Sequence, residues 1–238
     1  MKLLGSLLER WQKVRKYFEL NHNAIELMRL TKTVDDSSNN LSQILKRFDN
    51  FKPAQRNSEI KFLLDIINEK KCKTICEIGT SLGGSLFLFC QNAPKDARLI
   101  SIDIYYPLSR KHAFQKFTKK DQKLFCICGD THNLIIEEKV KRILGDELLD
   151  FLFIDGDHSF FGVMNDYVRF SPLVKKGGII AFHDIQPDSY MQNGIKTTAY
   201  VGGVPDFWLM LKKTKLRIVE MIENPNQDGC GIGVVYVE

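Results

Sequence analysis

Five titratable side chains follow two apolar runs of this chain, at the point where each run ends. Asp155, Asp157 and His158 come directly after the first run, and His183 with Asp184 follows the second. If the two runs are neighbouring strands of a parallel sheet, their carboxyl ends share one edge and bring the five groups into one crevice. Removing five such groups from water without a functional reason would be costly in free energy. The pattern therefore indicates a reactive site.

Two chemistries fit these residue types. In the first, Asp155, His183 and Asp184 hold a divalent cation, Mg²⁺ or Mn²⁺, which lowers the pKa of a bound hydroxyl. In the second, His158 or His183 is a general base and no metal is bound. Histidine is a poor ligand for Mg²⁺, which weighs against the first chemistry. We predict His158, His183 and Asp184 as catalytic groups, while Asp157 and His158 also suit a role in capping the following helix.

A glycine-containing segment earlier in the chain has the pattern of a ligand-binding turn. An apolar run ends at Glu77, and Gly79, Gly83 and Gly84 follow before a second apolar run. This order predicts a strand, a tight turn and a helix start. The glycine spacing matches neither G-x-G-x-x-G nor G-x-x-x-x-G-K-[ST], and an acid at Glu77 would repel a phosphate. The turn therefore predicts a nucleoside site without a phosphate chain, and S-adenosylmethionine is the common ligand of that kind.

Two further acids end predicted strands. Asp103 follows the second strand, where a carboxylate is able to accept hydrogen bonds from both ribose hydroxyls. Asp130, after Gly129, ends the third strand and suits either the amino group of adenine or the N-cap of a helix beginning at Thr131. Together with Glu77, these acids outline a nucleoside along the edge of the sheet.

The elements that must position these groups alternate regularly along the chain. The predicted strands are Thr74–Ile78, Arg98–Asp103, Leu124–Cys128, Asp150–Ile154, Gly178–His183, Leu216–Ile222 and Gly231–Val237. The predicted helices are Ser58–Ile67, Ser85–Gln91, Ser109–Phe117, Thr131–Leu144, Phe160–Val174 and Pro205–Lys212. Such alternation predicts an α/β fold with five parallel strands and helices on both faces. The short connection between the last two strands predicts an antiparallel hairpin.

The N-terminal part of the chain has a different pattern. Apolar residues at helical spacing over the first 30 positions predict an amphipathic helix with a basic opposite face. We expect its apolar stripe to pack on this domain or on a second subunit in a homo-oligomer, in preference to a membrane surface. A polar linker, Thr31–Asn40, and a short helix, Leu41–Phe51, follow. We therefore predict a helical extension over residues 1–55 and one domain over residues 56–238.

Bulk composition excludes several classes of protein. The 238 residues carry 34 basic and 29 acidic side chains, a net charge of +5, and no basic and aromatic interleaving of the kind that binds nucleic acid. No apolar run approaches the roughly 18 residues that a transmembrane helix needs. The six cysteines form no C-x-x-C pair. We expect a cytoplasmic protein with reduced cysteines.

Three segments together resemble the class I S-adenosylmethionine-dependent methyltransferases, in particular the small-molecule O-methyltransferases that include sugar O-methyltransferases and the cephalosporin-hydroxylase-like group. They are Glu77–Ser85, Phe153–His158 and Lys176–Asp184, within a similar region of about Ser58–Val237. The resemblance implies a Rossmann-like sheet of seven strands and a cofactor site. By the resemblance and the strand-end pattern, the cofactor-binding residues are Glu77, Gly79, Thr80, Ser81, Gly83, Ser85, Asp103, Gly129, Asp130 and Asp155.

The resemblance also bears on the metal. In the metal-dependent catechol-type enzymes the acidic ligands end strands four and five, where this chain has Asp155 and then His183 with Asp184. His183 occupies a position at which those enzymes carry a carboxylate. Their lysine base has no counterpart directly after Asp155. The implied activity is methyl transfer to a hydroxyl of a small molecule or sugar.

A long irregular stretch, Gln186–Gly203, predicts a lid over the acceptor. Tyr190, Met191, Tyr200 and Trp208 are candidates to shape the acceptor pocket. Two other functions stay open: a catalytically silent module that binds S-adenosylmethionine, and a dinucleotide-dependent oxidoreductase, which the glycine spacing and the terminal hairpin oppose.

Overall fold

The computed structural model describes residue 15, residues 18–29 and residues 49–238. Residues 18–29 form a helix, α1, which buries Leu20, Ala24 and Leu27 in the same apolar core as the domain that follows. Their spacing of four and three residues places them on one side of the helix. The described part of the predicted amphipathic helix thus packs on this chain's own domain.

Most of the rest of the predicted N-terminal extension, residues 1–55, lies outside the described residues. This applies to residues 1–14, to the linker Thr31–Asn40 and to most of the predicted helix Leu41–Phe51. The last three residues of that helix, Asp49–Phe51, form one 3₁₀ turn, and the Phe51 side chain is fully buried.

Seven strands form one sheet in the order β3-β2-β1-β4-β5-β7-β6. The strands are Thr74–Ile78 (β1), Arg98–Asp103 (β2), Lys123–Cys128 (β3), Leu149–Ile154 (β4), Val174–His183 (β5), Arg217–Met221 (β6) and Ile232–Tyr236 (β7). The first five are parallel, and β7 inserts antiparallel between β5 and β6. The predicted parallel sheet and terminal hairpin are confirmed.

Helices cover both faces of the sheet. They are Asn57–Lys70 (α2), Gly84–Asn92 (α3), Leu108–Phe114 (α4), Leu134–Leu144 (α5), Phe160–Phe170 (α6), Ser189–Asn193 (α7) and Val204–Lys212 (α8). Successive strand residues alternate between the two faces. Ile75 and Leu99 belong to the core under α1–α4, whereas Cys76 and Ile100 belong to the core under α5, α6 and α8. Because both faces are covered, every residue of β1 is buried.

Several predicted helix boundaries are wrong by a few residues, each for a local reason. Helix α5 begins at Leu134 rather than Thr131, because the Asn133 side chain caps it by accepting from the backbone N–H of Ile135. Helix α6 ends at Phe170 and becomes a 3₁₀ turn that contains Pro172, whose ring cannot continue an α-helix.

Other boundaries differ in the same limited way. Helix α2 begins one residue before the predicted start, with Arg56 as its N-cap. The predicted helix Ser109–Phe117 is α4 followed by a 3₁₀ turn. The predicted irregular stretch contains the short helix α7. None of these differences moves the carboxyl ends of β1–β5, which share one edge of the sheet. Among the residues that the structure describes, no helix is long and apolar enough to cross a membrane.

Candidate active site

Four of the five predicted groups converge beyond the ends of β4 and β5. Asp155 Oδ1 lies 3.2 Å from Nδ1 of His183 and 3.5 Å from Nε2 of His158. Asp184 Oδ2 lies 3.4 Å from Nδ1 of His183 and 3.5 Å from Nδ1 of His158. Two carboxylates and two imidazoles therefore alternate around one small cluster.

The fifth group, Asp157, turns away from this cluster. Its Oδ1 accepts a hydrogen bond from the backbone N–H of Ser159, and its Oδ2 lies 3.7 Å from Nε2 of His132. The helix that follows is capped by the Ser159 side chain, which accepts from the N–H of Gly162. Asp157 therefore supports the turn before α6, as its alternative role near the helix start suggested, and it lines the same crevice as Asp155 and His158 without being one of the four groups in this cluster.

The cluster shifts the proton affinities of its members. Burial works against the charged ring of His158, but Asp155, the Tyr200 carbonyl and Asp184 outweigh it and raise the pKa to about 9. Burial likewise opposes the charge on His183, and Asp155 and Asp184 raise its pKa well above the ordinary value. Burial would raise the pKa of Asp155, yet the two imidazoles lower it. At neutral pH and without another cation, both rings are protonated and must lose a proton before either acts as a base.

The segment Gln186–Gly203 contacts His158 directly. The N–H on Nδ1 of His158 donates to the backbone carbonyl of Tyr200, and the two rings stack at 5.8 Å between centroids. The backbone N–H of Gly203 donates to the carbonyl of His158 at 2.7 Å. Tyr190 and Tyr200 expose their rings, and Met191 is partly exposed. The predicted lid therefore has two fixed contacts with the cluster and exposed aromatic side chains beside it.

Trp208 does not belong to the site. Its ring is 1% exposed, packs against Phe182 and Gly233 on one face of the sheet, and donates through Nε1 to Glu220. The prediction that Trp208 shapes the acceptor pocket is wrong, because the apolar side of α8 points into the core and carries the indole with it.

The glycine turn after β1 packs against the turn after β4. Gly79 has φ of 87°, and a Cβ there would meet the backbone oxygen of Asp155 at 1.8 Å. Ser81 also has a left-handed backbone, and its N–H donates to Oδ2 of Asp103 at 2.7 Å. The turn thus connects the ends of β1, β2 and β4, which fixes the floor of the crevice.

Two cavities open at this edge and meet at Gly79, Ser81 and Asp155. The first, of about 440 Å³, lies over the ends of β1–β4 and is lined by Ile78, Gly79, Ser81, Ile102, Asp103, Ile104, Gly129, Asp130, Thr131, His132, Asp155, Gly156, Asp157 and His158. The second, of about 520 Å³, is lined by Lys52, Pro53, Ala54, Gln55, Gly79, Thr80, Ser81, Leu82, Gly84, Ser85, Asp155 and Thr198. Both volumes fall within the roughly 300–1,000 Å³ of small-molecule sites.

The first cavity is acidic. Four carboxylates line it, and among its lining residues in the described chain there is no lysine or arginine. Asp103 accepts hydrogen bonds from the N–H of Ser81 and of Tyr105, which leaves further lone pairs for a ligand. Asp130 accepts from the N–H of His132 and does not cap α5. Such a wall opposes a phosphate chain and suits a neutral or cationic nucleoside.

The other predicted cofactor residues lie in or below the turn. Thr80 and Ser85 line the second cavity, and Gly129 lines the first. Gly83 lines neither cavity and packs against the ring of Phe114. Glu77 is 0% exposed beneath the turn, where its Oε1 accepts from the Ser85 hydroxyl. Burial raises the pKa of Glu77 to about 8, against the effect of Ser85.

Known proteins are similar to this chain in sequence or in fold. Residues 76–185 match the family model described as "Methyltransferase domain", and this segment contains the end of β1, all of β2–β5 and most of the site. The chain is similar to that family over this segment. It is 37% identical over 129 residues to an uncharacterized protein of Acanthamoeba polyphaga mimivirus, covering 50% of this chain and 54% of that protein.

A second relative of this chain comes from Arabidopsis thaliana. It is named "Putative caffeoyl-CoA O-methyltransferase" and is 32% identical over 137 residues, covering 55% of this chain and 53% of that protein. The chain thus spans about half the length of each of these two relatives. Among solved structures, the O-methyltransferase TomG from Streptomyces achromogenes, in complex with S-adenosylmethionine, superposes with a TM-score of 0.58 at 18% identity, covering 86% of this chain and 90% of that one. At that identity the likeness shows the fold.

Sequence reasoning missed three residues of the site, and two of them carry no signal in the sequence. Gln55 donates through Nε2 to Oδ2 of Asp155 at 2.7 Å, although 100 residues separate them. Glu59, in the first turn of α2, is fully buried beside His183. His132 lines the first cavity and faces Asp157. For His132 alone, the position after a strand-end acid was available as a signal.

Proposed function

We propose that the protein is an S-adenosylmethionine-dependent O-methyltransferase that acts on a hydroxyl of a small molecule. The observation that carries the proposal is the meeting of two cavities at Asp155, directly beside His158, His183 and Asp184. One cavity suits an adenosyl group, and the other leaves room for the rest of the cofactor and an acceptor. Proton-transfer groups lie where the two would meet.

The first cavity suits adenosine. Asp103 ends β2 with free lone pairs at the height where ribose hydroxyls would lie. Ile104, 75% exposed, offers an apolar surface for a base, and Asp130 is an acceptor for the adenine amino group. The absence of lysine and arginine among the described lining residues, together with four carboxylates, argues against a dinucleotide and therefore against the oxidoreductase alternative.

The second cavity suits the amino-acid end of the cofactor. It contains Gly84 at the N-terminus of α3, where unpaired backbone N–H groups and the helix dipole favour a carboxylate. Lys52, whose backbone packs against Gly84, also lines this cavity and would add a positive charge. A ligand that extends from the first cavity into the second passes Asp155, whose negative charge suits a sulfonium. Bound S-adenosylmethionine would supply an activated methyl group at that point.

The cluster beside Asp155 also fits a divalent cation. The ligand atoms of Asp155, His158 and Asp184 lie within 4.8 Å of one another, and Nδ1 of His183 faces the same two carboxylates. A set of mixed oxygen and nitrogen donors suits Mn²⁺ better than Mg²⁺. When bound, the cation would hold the acceptor hydroxyl and lower its pKa.

The chain's own residues supply orientation and proton transfer. Asp155 and Asp184 fix the two imidazoles, and a ring that has lost its proton to solvent takes the proton of the acceptor hydroxyl. The segment Gln186–Gly203 forms one wall beside His158, and Thr198 reaches the second cavity. This wall would exclude water and hold the acceptor in line with the methyl group.

The proposal is tested first by binding and then by turnover. Calorimetry with S-adenosylhomocysteine and with NAD⁺ should show binding of the first and none of the second. Incubation with S-adenosylmethionine and a panel of catechols, phenols and sugars should release S-adenosylhomocysteine with at least one acceptor. Turnover should fall in excess chelator and return with Mn²⁺. Binding of NAD⁺ in preference to S-adenosylhomocysteine would overturn the proposal. Full turnover in excess chelator would show that the reaction needs no metal.

A further inference from the structure

A buried carboxylate lies behind the catalytic cluster, on the side of His183 away from the cavities. Glu59 is 0% exposed, and its Oε2 lies 3.7 Å from Nε2 of His183. Nδ1 of the same ring faces Asp155 and Asp184 on the other side. Glu59 lies outside the segment that matches the methyltransferase family model.

The Glu59 carboxylate is held by three hydrogen bonds from two parts of the chain. Its Oε2 accepts from the backbone N–H of Arg56 at 2.9 Å, at the start of α2. Its Oε1 accepts from the N–H of Gly231 at 2.7 Å and from Nε2 of Gln227 at 3.2 Å, both just before β7. These bonds fix the position of the carboxylate independently of His183.

Capping a helix does not require such burial. A glutamate that only closes a capping box is able to stay in water, whereas burying a carboxylate costs several kcal/mol unless it is well paired. Burial would raise the pKa of Glu59, but the neighbouring His183 ring and the hydrogen bonds from the backbone N–H groups of Arg56 and Gly231 outweigh it and lower the pKa. A fixed negative charge at this depth has one functional neighbour, the imidazole of His183.

That imidazole has an unpaired nitrogen. His183 is 4% exposed, and in the described residues Nε2 has no partner within hydrogen-bond distance, with the Glu59 carboxylate 3.7 Å away. A histidine that uses one ring nitrogen for chemistry commonly directs its other N–H to a carboxylate, which sets the orientation of the ring. A small rotation of the His183 ring would complete this arrangement.

We propose that Glu59 is a positioning residue: it holds the Nε2–H of His183 and thereby directs Nδ1 of that ring into the pair formed by Asp155 and Asp184. The proposal rests on the proposed function only for the role of Nδ1 as a base or a metal ligand. The orientation itself is a property of the chain.

The alternative to a positioning role is that Glu59 and His183 are ligands of a second metal ion. The ligand atoms of Glu59, His183 and Cys230 lie within 4.8 Å of one another. The guanidinium of Arg56 lies beside Cys230, however, and a positive charge there opposes a second cation. We therefore assign Glu59 to positioning and treat a metal bound with Cys230 as the outcome that would overturn the assignment.

The test uses the full chain labelled with ¹⁵N-histidine, with and without Zn²⁺ as a diamagnetic probe. The His183→Gln variant identifies the His183 signal among the five histidines. In the unmodified chain, His183 should show an Nε2–H that exchanges slowly with solvent. Glu59→Gln should lose that protection and weaken Zn²⁺ binding by about 10–100-fold. Asp65→Asn, on the same helix and paired with Lys61 at 2.6 Å, should change neither.

Each of the following results would contradict one part of the proposal. An unprotonated Nε2 in the unmodified chain, or unchanged exchange in Glu59→Gln, overturns the positioning role whether or not Zn²⁺ binds. The unmodified chain supplies the first of these readouts even if the variant fails to fold. Loss of Zn²⁺ affinity in Cys230→Ser equal to that in Glu59→Gln would show a second metal site instead. A failure of the proposed function is detected separately, because the unmodified chain would then not bind S-adenosylhomocysteine. Glu59→Gln should change the affinity for S-adenosylhomocysteine by no more than about twofold, since Glu59 lines neither cavity.

Discussion

The Asp155 carboxylate lies 3.2 Å from Nδ1 of His183, at the boundary between two cavities. The other oxygen of Asp155 accepts from Gln55, which precedes the whole alternating sheet. One side chain thus lines both cavities and also contacts a proton-transfer group, the imidazole of His183. This relationship makes Asp155 the residue at which binding and chemistry are most closely coupled.

Replacing Asp155 with Asn should separate chemistry from cofactor binding. The amide keeps the shape of the side chain and an acceptor for Gln55, but it removes the charge that both imidazoles face. We expect turnover to fall by about 10²–10⁴-fold, the usual contribution of an acid–base group, while S-adenosylhomocysteine binds within a few fold. Steady-state kinetics and calorimetry measure the two effects. Asp206→Asn, an exposed position on α8, is the control; an equal loss of ligand affinity and turnover would contradict this separation.

Gly79→Ala should disrupt the floor of the site. A Cβ at Gly79 would meet the backbone oxygen of Asp155 at 1.8 Å, and the backbone φ of 87° disfavours any side chain. Gly177 has a similar φ of 76° but nothing within 4 Å of a Cβ. Gly177→Ala should therefore cost only the roughly 1–2 kcal/mol of a left-handed backbone, and Gly79→Ala considerably more.

Chemical denaturation and S-adenosylhomocysteine binding distinguish the two glycine variants. Gly177→Ala should bind the ligand normally, since Gly177 lines neither cavity. Gly79→Ala should lose both stability and binding. Equal losses of stability in the two variants would mean that backbone strain, and not the close contact with Asp155, explains the glycine at position 79.

The fold and part of the site could be predicted from the sequence for a specific physical reason. Parallel strands bring their carboxyl ends to one edge, so residues that end apolar runs, such as Asp103, Asp155 and His183, are found without knowing any distance. The direction of a side chain at a strand end is not fixed by that rule. Glu77 shows this, because it points beneath the turn towards Ser85 instead of into the crevice.

Contacts between distant parts of the chain could not be predicted at all. Gln55 reaches Asp155 and Glu59 reaches His183 from a helix start that precedes β1, and no periodicity relates those positions. The prediction that Trp208 shapes the acceptor pocket is wrong for a different reason. Its apolar neighbours in α8 predicted a helix correctly, but an aromatic residue on such a helix packs in the core as readily as in a pocket.

Asp103→Asn should remove recognition of the ribose. Hydrogen bonds to a charged group contribute about 1.5–3 kcal/mol, so affinity for S-adenosylhomocysteine should fall by about 10–100-fold. Asn retains an acceptor for the N–H of Ser81, which limits damage to the turn. The decisive measurement is the ratio of affinities for S-adenosylhomocysteine and its 2′-deoxyribose analogue. That ratio should approach one in Asp103→Asn and stay high in Asp130→Asn; an unchanged ratio in Asp103→Asn would place the ribose elsewhere.

Glu77 should make the ligand-free protein less stable as pH rises. Burial raises the pKa of Glu77 to about 8 in the folded chain, from an ordinary value of 4.5. Between these values the unfolded chain releases a proton that the folded chain keeps. The free energy of unfolding therefore decreases by up to about 1.4 kcal/mol per pH unit from pH 4.5 until the folded carboxyl ionises near pH 8.

Glu77→Gln removes this titration, so its free energy of unfolding should change less with pH over the same window. Because the amide cannot ionise, the free energy of unfolding of the variant should rise steadily relative to that of the unmodified chain from pH 4.5. At pH 8 the variant should be the more stable of the two. Glu69→Gln, at an exposed position on α2, should follow the unmodified chain. Urea denaturation at several pH values measures the slopes. A constant difference between Glu77→Gln and the unmodified chain at every pH would mean that Glu77 is already ionised in the folded protein, and that the buried carboxyl beneath the turn is a negative charge facing the cofactor site.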